Sequence, residues 1–295
     1  RRAMEELSRT WKALDGLAET KRGEKIAAFT EAAERVATHG RYSWWYAVAA
    51  TIAVVVAGAA WLRQGSEVQI LATAVGQQRN VTLIDGSVVT LNTNTILETD
   101  LTRRIRQLYL RKGEAHFQVA HDRSRPFLVH AGDAVVRAVG TEFEVRLRTD
   151  QHVDVVVNEG RVEVQAPTAP QQAPDARGRA AGLTMVRALK AGEQLTTASA
   201  DYAIVPVSQQ QLSSELAWRE GAIIFEGQPL SQAVSEIERY TDARIVVSDP
   251  RVAALRVGGR FRTDDVQGFL DGLQAALPVT IRRTADGLVY VDPRR

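Results

Sequence analysis

The stretch FLVHAGDAVVRAVGTEFEVRL, residues 127–147, decides the fold. Short runs of alternating apolar and polar residues are punctuated by Gly132 and Gly140, with no helical period between them. Alternation with a period of two places one set of side chains on each face of a strand. Glycine supplies the backbone conformations that tight turns need. The same plan extends in both directions. VTLIDGSVVTL (81–91) reads as a hairpin about Asp85-Gly86, and QLYLRKGEAHFQVA (107–120) as one about Lys112-Gly113. VDVVVNEGRVEVQ (153–165) turns about Glu159-Gly160, and RALKAGEQLTT (187–197) about Ala191-Gly192. Strand pairs at this density predict an all-β domain over 68–205, built as a small sandwich or a short solenoid-like stack. Residues 166–182, rich in Pro, Gln and Ala, cannot form a core and read as a flexible excursion from it.

Towards the C-terminus the period changes. AIIFEG (222–227) is a strand, and Pro229 suits the first turn of a helix in which Leu230, Val234 and Ile237 share a face. RIVVS (244–248) and LRVGGRF (255–261) are strands. Thr263 is placed to cap a second helix that turns Val266, Phe269, Leu270, Leu273 and Leu277 inward. PVTIRR (278–283) and LVYV (288–291) complete a β-α-β-β-α-β order with a last short strand. This describes a small α/β module over 215–293 made of two similar halves.

On the N-terminal side, Trp44 to Leu62 reads WWYAVAATIAVVVAGAAWL, without a charge. At helical rise it is about 28 Å long, close to the thickness of a hydrocarbon core. Trp44, Trp45 and Tyr46 at one end and Trp61 with Leu62 at the other are suited to the two interfaces, and Arg41 and Arg63 bracket the span. A transmembrane helix over 44–62 is therefore expected. Lys25, Arg35 and Arg41 on one flank against Arg63 and Arg79 on the other place the N-terminus in the cytoplasm by the positive-inside rule. Residues 1–41 read as two short amphipathic helices separated near Gly23. Met4, Leu7, Trp11 and Leu14 make one stripe, and Ile26, Phe29, Ala33 and Val36 the other. Two such helices are too small to bury their stripes alone and call for a further element or a protein partner.

Composition narrows the chemistry. A net charge of +2 over 295 residues, with basic residues spread along the chain, gives no nucleic-acid footprint. The absence of cysteine removes disulfides and thiolate metal sites. His116, His121 and His130 fall on alternating strands with no carboxylate spacing to join them into a metal site. Glu142 and Glu144 flank Phe143 in one strand and face the side opposite to it. They read as solvated carboxylates with ordinary pKa values. Ser87, Ser124 and Thr141 lack a nucleophile elbow, and no glycine-rich loop opens a helix. No catalytic residue, metal or cofactor is expected, and the chain does not read as an enzyme.

The order of these pieces resembles the FecR-type anti-sigma regulators of bacterial cell-surface signalling. The matching stretches are GQQRNVTLIDGSVVTLNTNT (76–95), LYLRKGEAHFQVAHDRSRPFLVHAGDAVVRAVGTEFEV (108–145), VVVNEGRVEV (155–164) and LKAGEQL (189–195). Val139-Gly140-Thr141-x-Phe143-x-Val145 is the most specific element. The tail, from Trp218-Arg219-x-Gly221 through Phe225, Pro229-Leu230 and Arg239-Tyr240, is similar to the family's partner module, itself akin to the short N-terminal (STN) domain of secretins and TonB-dependent transducers.

The resemblance implies a single-pass protein of the bacterial inner membrane. Its cytoplasmic N-terminal segment, 1–41, binds an extracytoplasmic-function (ECF) sigma factor. Its periplasmic domains receive a signal from the signalling domain of a TonB-dependent outer-membrane transducer, often one for siderophores. Site-1 and site-2 type proteases release the cytoplasmic piece. Leu7, Trp11 and Leu14 are the candidate sigma contacts, because a tryptophan at the centre of an apolar stripe makes a good anchor. Ile223, Ile224 and Phe225, or Val289 and Val291, are the candidate transducer contacts, through addition of a strand to a sheet edge. The chain begins at Arg1, and the leading helix of the family's sigma-binding region is missing from it. Two other readings compete: a polysaccharide-binding envelope protein, which sparse Tyr and Trp between 76 and 200 disfavour, and a secretin-like assembly subunit, which only the tail supports.

Overall fold

The computed structural model describes residues 49–53, 68–102, 105–167, 184–198, 202–285 and 287–294. The chain divides into two compact units, Arg1–Gly65 and Ser66–Arg295. Of the first, residues 49–53 are described; they are helical and exposed. The expected membrane span otherwise lies outside the described residues, with Trp44, Trp45, Tyr46, Trp61 and Leu62, and so do the two N-terminal stripes with Leu7, Trp11 and Leu14. Among the described residues no helix is long and apolar enough to cross a membrane.

The second unit begins with thirteen strands that form two sheets sharing one long strand. The first sheet has the order β1 (Gln69–Ala72), β4 (Ile96–Leu101), β5 (Arg106–Gln118), β6 (Phe127–Ala131), β7 (Ala134–Ala138), β10 (Arg161–Pro167), β11 (Thr184–Lys190). The second runs β2 (Arg79–Thr82), β3 (Val88–Leu91), β5, β8 (Glu142–Leu147), β9 (Val153–Glu159), β12 (Glu193–Thr196), β13 (Ile204–Pro206). Every pairing is antiparallel except β5 with β6. One apolar core fills the space between the sheets, with Phe117, Phe127 and Phe143 fully buried and the Phe117 ring in contact with both of the others. The two sheets, continuous through β5, close around this core as a near-closed barrel flattened into a sandwich.

The glycines explain how this winding arises. Two of the expected hairpins form: β2 with β3 about Asp85-Gly86, and β6 with β7 about Gly132-Asp133. The others do not. Lys112-Gly113 lies inside β5, whose first half pairs with β4 and β6 and whose second half pairs with β3 and β8. Gly113 sits where the strand leaves one sheet for the other, at φ +86°. A Cβ there would meet Thr95 Oγ1 at 2.3 Å and the Thr95 backbone at 2.7 Å, so only glycine fits. Gly140, Glu159-Gly160 and Ala191-Gly192 likewise carry the chain across from one sheet to the other, because β7 and β8, β9 and β10, and β11 and β12 pair with different neighbours. β10 and β11 pair in register from Arg161↔Lys190 to Pro167↔Thr184, so residues 166 and 167 of the expected excursion belong to a strand.

The α/β part follows. Helix α1 (Gln209–Glu215) opens on a capping box in which Ser208 Oγ accepts from Gln211 N and the Gln211 side chain accepts from Ser208 N. A 3-10 turn, Leu216–Glu220, leads into β14 (Ala222–Pro229). Then come α2 (Leu230–Ile237), a second 3-10 turn (Glu238–Tyr240), β15 (Arg244–Val246), α3 (Pro250–Ala253), β16 (Arg256–Arg262), α4 (Val266–Ala276), β17 (Val279–Arg283) and β18 (Leu288–Pro293). β14 pairs with β16 alone, and β18 lies between β15 and β17. The expected order holds, with α1 and α3 as additions. The cap of α4 is Asp265 rather than Thr263: its carboxylate accepts from Gly268 N at 2.8 Å, while Thr263 is buried and continues the pairing by donating its N–H to Gly221 O. Leu230, Ile237, Phe269, Leu273 and Val291 fill a second core, separate from the first.

Candidate functional site

Within this unit the β sandwich and the α/β module meet through charged and polar side chains. β8 sets the pattern. Its inward residues, Phe143 and Val145, belong to the sandwich core, so Glu142, Glu144 and Arg146 share the opposite face. β5 runs beside it and contributes Glu114 and His116, in register with Arg146 and Glu144. The module lays Trp218, Arg219, Glu236, Arg239 and Tyr240 over this face. Arg219 Nη1 donates to Glu142 Oε1 at 3.0 Å, Trp218 Nε1 to Glu144 Oε2 at 2.8 Å, and Arg146 Nη2 to Glu236 Oε2 at 2.9 Å. Arg239 donates to Glu114 Oε2 at 2.5 Å and also reaches Glu236. Asn92, at the end of β3, donates to both Glu114 Oε2 (2.7 Å) and Tyr240 Oη (2.8 Å). Two further bonds fasten the rim: Gln78 Nε2 to Trp218 O and Thr93 Oγ1 to Arg239 O.

Glu144 overturns the expectation of a solvated carboxylate. It is 6% exposed, and its pKa is raised well above the usual range by burial and by the neighbouring Glu114 carboxylate. Local alternation placed Glu144 on the outer face correctly. What covers that face is Trp218, 74 residues further along the chain. Glu114 moves the other way. Burial opposes its charge, but the guanidiniums of Arg239 and Arg146 prevail and hold it down to about 2. Between them the two carboxyls hold one proton, favoured on Glu144 while Glu114 stays ionised. His116 is pushed down to about 4 by burial and by Arg219. It is neutral at neutral pH, with Nε2 3.0 Å from Glu142 Oε1.

The Glu215 side chain, at the end of α1, lies beside this seam with no hydrogen bond or ion pair among the described residues; burial, with the Glu114 and Asp154 carboxylates, pushes it up to about 7. A carboxyl that holds its proton more tightly when folded gives stability that is lost as pH rises from the unfolded value, about 4.5, through 7. Glu215→Gln is therefore expected to stabilise the unit at pH 8 by on the order of 1–3 kcal/mol, read as a raised thermal midpoint, and to leave the midpoint nearly unchanged at pH 4.5. Melting curves at the two pH values check this. An equal shift at both would show that ionisation of Glu215 is not the cause.

The sites expected from sequence are dispersed. Ile223 and Phe225 are buried in the module core and Ile224 is half-buried on the same strand, β14, whose outer edge is unpaired. Val289 and Val291 are buried on β18, the central strand of its sheet, so neither edge there is open to an added strand. His130 stacks on Tyr109 at 4.6 Å, away from His116, and among the described residues no group of His, Asp and Glu is placed to hold a metal ion. The seam itself was not foreseen, although Trp218-Arg219 and Arg239-Tyr240 stood out in the sequence as paired bulky and cationic residues.

The FecR protein family model matches residues 69–163, and the model for the FecR C-terminal region matches 222–291. The seam joins these two regions. Two crystal structures of a candidate anti-sigma factor from Parabacteroides distasonis share the fold. The one at 2.50 Å is 25% identical, with a TM-score of 0.60 over 77% of this chain and 99% of that one. The one at 1.65 Å is 24% identical, with a TM-score of 0.61 over 76% and 99%. The comparison with curated proteins gave no match. With both regions present in order, the chain belongs to the FecR-type anti-sigma factor family, whose members are regulators rather than enzymes.

Proposed function

We propose that this protein is a single-pass regulator of the bacterial inner membrane that binds an ECF sigma factor in the cytoplasm and is governed from the periplasm. On this reading residues 1–41 contact the sigma factor through Leu7, Trp11 and Leu14, and residues 44–62 span the membrane. The unit from residue 66 onwards receives the signalling domain of a TonB-dependent transducer, and regulated proteolysis then releases the cytoplasmic piece. The observation that carries the reading is the match of both FecR regions, brought together by the buried seam. A lone span transmits rotation poorly, so a signal is better passed by association, displacement or cutting. A joint made of charged groups has two discrete arrangements to offer, docked and undocked.

The test is co-purification of the full chain, in detergent, with each ECF sigma factor of the source organism. Capture of one sigma factor, lost at least tenfold on Trp11→Ala, is the expected result. Failure of every sigma factor to co-purify with a folded chain would overturn the cytoplasmic half of the proposal and favour a secretin-like assembly role.

A further inference from the structure

A groove of about 720 Å³ runs along the whole of β14, Ala222 to Pro229, and is closed on its far side by β13 and α1. Gly221 O accepts from Thr263 N on the β16 side. In an antiparallel ladder the backbone groups of successive residues point to alternate sides, so residues 223 and 225 face β16 and residues 222, 224 and 226 turn towards the groove. One outward amide, that of Glu226, is capped by the Gln228 side chain just beyond the bulge at Gly227. β13 also has a free edge, but Val207 N donates to Gly192 O on the β12 side, which turns Pro206 outward, and a proline has no N–H to offer. β13 also turns Ile204 outward, so of the two edges that face the groove that of β14 offers the longer ladder.

The lining states what the added strand must carry. Of the six carboxyls along it, Glu144 holds a proton and Glu114, Glu236 and Asp154 face guanidiniums, which leaves Glu215 and Glu226. Each guanidinium is already engaged: Arg146 with Glu236, Arg148 with Asp154, and Arg256 with Gly227 O. Among the described residues Glu215 and Glu226 have no cation, and Asp154 Oδ1 is buried without a hydrogen-bond partner. The unmet demand along the groove is for positive charge. Eight residues of strand extend over roughly 26 Å, which suits an extended chain.

We propose that an extended, lysine- or arginine-bearing segment of a partner protein adds as a strand to the free edge of β14, with its cations against Glu215 and Glu226. This rests on the reading of the C-terminal unit as the receiver of a protein signal, and it names how the partner is held. An added strand here touches Trp218 and Glu236 as well as β14, so its arrival bears directly on the seam.

The test is fluorescence polarisation of the full chain with blocked ten-residue peptides of alternating valine and lysine. The lysine peptide is expected to bind saturably and its glutamate counterpart at least tenfold more weakly. N-methylation of every amide along one edge of the peptide should abolish binding, and along the other edge should spare it. Ile224→Pro, which removes an outward amide and no β16 hydrogen bond, should weaken binding at least tenfold while circular dichroism stays unchanged. Should that variant unfold, the methylation series alone decides. No binding of the lysine peptide, or binding indifferent to methylation, would overturn the proposal. Sigma-factor capture is read separately: its persistence alongside a failed peptide test sinks the groove alone, and its loss alongside a successful one sinks the cytoplasmic reading alone.

Discussion

Arg106→Met is expected to destabilise the sandwich by about 4 kcal/mol, a fall in thermal midpoint of roughly 8–16 °C for a unit of this size. Arg106 is 1% exposed at the start of β5, and each of its three guanidinium nitrogens donates. Nε donates to Arg125 O, Nη1 to Ala120 O and Asp85 Oδ2, and Nη2 to Asp122 O, while the guanidinium lies over the Phe127 ring. It thereby ties the β2–β3 turn to the loop before β6. Methionine keeps most of the volume but leaves a buried aspartate without its cation and three carbonyls without donors. Breaking a buried pair from one side costs about 3–5 kcal/mol, mostly through the charge left behind. Adding Asp85→Asn removes that charge, so the double variant should recover about 1–2 kcal/mol relative to Arg106→Met alone. Thermal melts of the four proteins in the cycle check it. A double variant no more stable than Arg106→Met would show that the cost is one of packing and orphaned carbonyls.

Arg106 also shows where local reading stops. Asp85 was recognised as a turn residue, and it is one: its carboxylate accepts from Ser87 N and Oγ. Nothing nearby says that the turn is also anchored to a residue 21 positions on. The glycines teach the same lesson at the level of topology. Asp85-Gly86 and Gly132-Asp133 close hairpins, while Gly113, Gly160 and Gly192, with the same positive φ, carry the chain between sheets. A positive φ marks a change of direction, and the distant strands that compete for pairing decide where the chain goes next. The α/β module was legible because its signals are short-range: apolar residues at helical spacing on α2 and α4, and β-branched runs between them. Helix α1 was missed although Ser208 and Gln211 spell a capping box; its polar residues carry only one buried apolar side chain, Leu212. For the seam, alternation put Glu142 and Glu144 on the correct face of β8. That the face is covered depends on Trp218 and Arg239, which no local pattern connects to it.

Arg239→Met is expected to unfasten the module from the sandwich while leaving both cores intact. The two apolar clusters do not merge, so the module is held across the seam by hydrogen bonds and ion pairs more than by shared core. Arg239 is the larger of the two guanidinium influences that keep Glu114 ionised; the other, Arg146, is bonded to Glu236. Without it, burial drives both Glu114 and Glu144 towards the neutral form, and the seam must either take up a second proton or open to water. The penalty at pH 8 is about 3–5 kcal/mol, charged against docking. The sign of the pH dependence then changes for Glu114. In the native protein its lowered pKa contributes stability above about 4.5 that is lost as pH falls towards 2. In the variant its pKa lies above the unfolded value, so stability falls as pH rises through it. Limited proteolysis should show faster cleavage between residues 207 and 221 at pH 8 than at pH 5, with the fragments still folded. Cleavage no faster than in the native protein at pH 8 would show that Arg239 is not the fastening. On the proposed function, a partner strand entering beside Glu215 and Trp218 would act on this same joint. The unit would need only the few kcal/mol stored in one buried guanidinium and one shared proton to pass between docked and undocked forms.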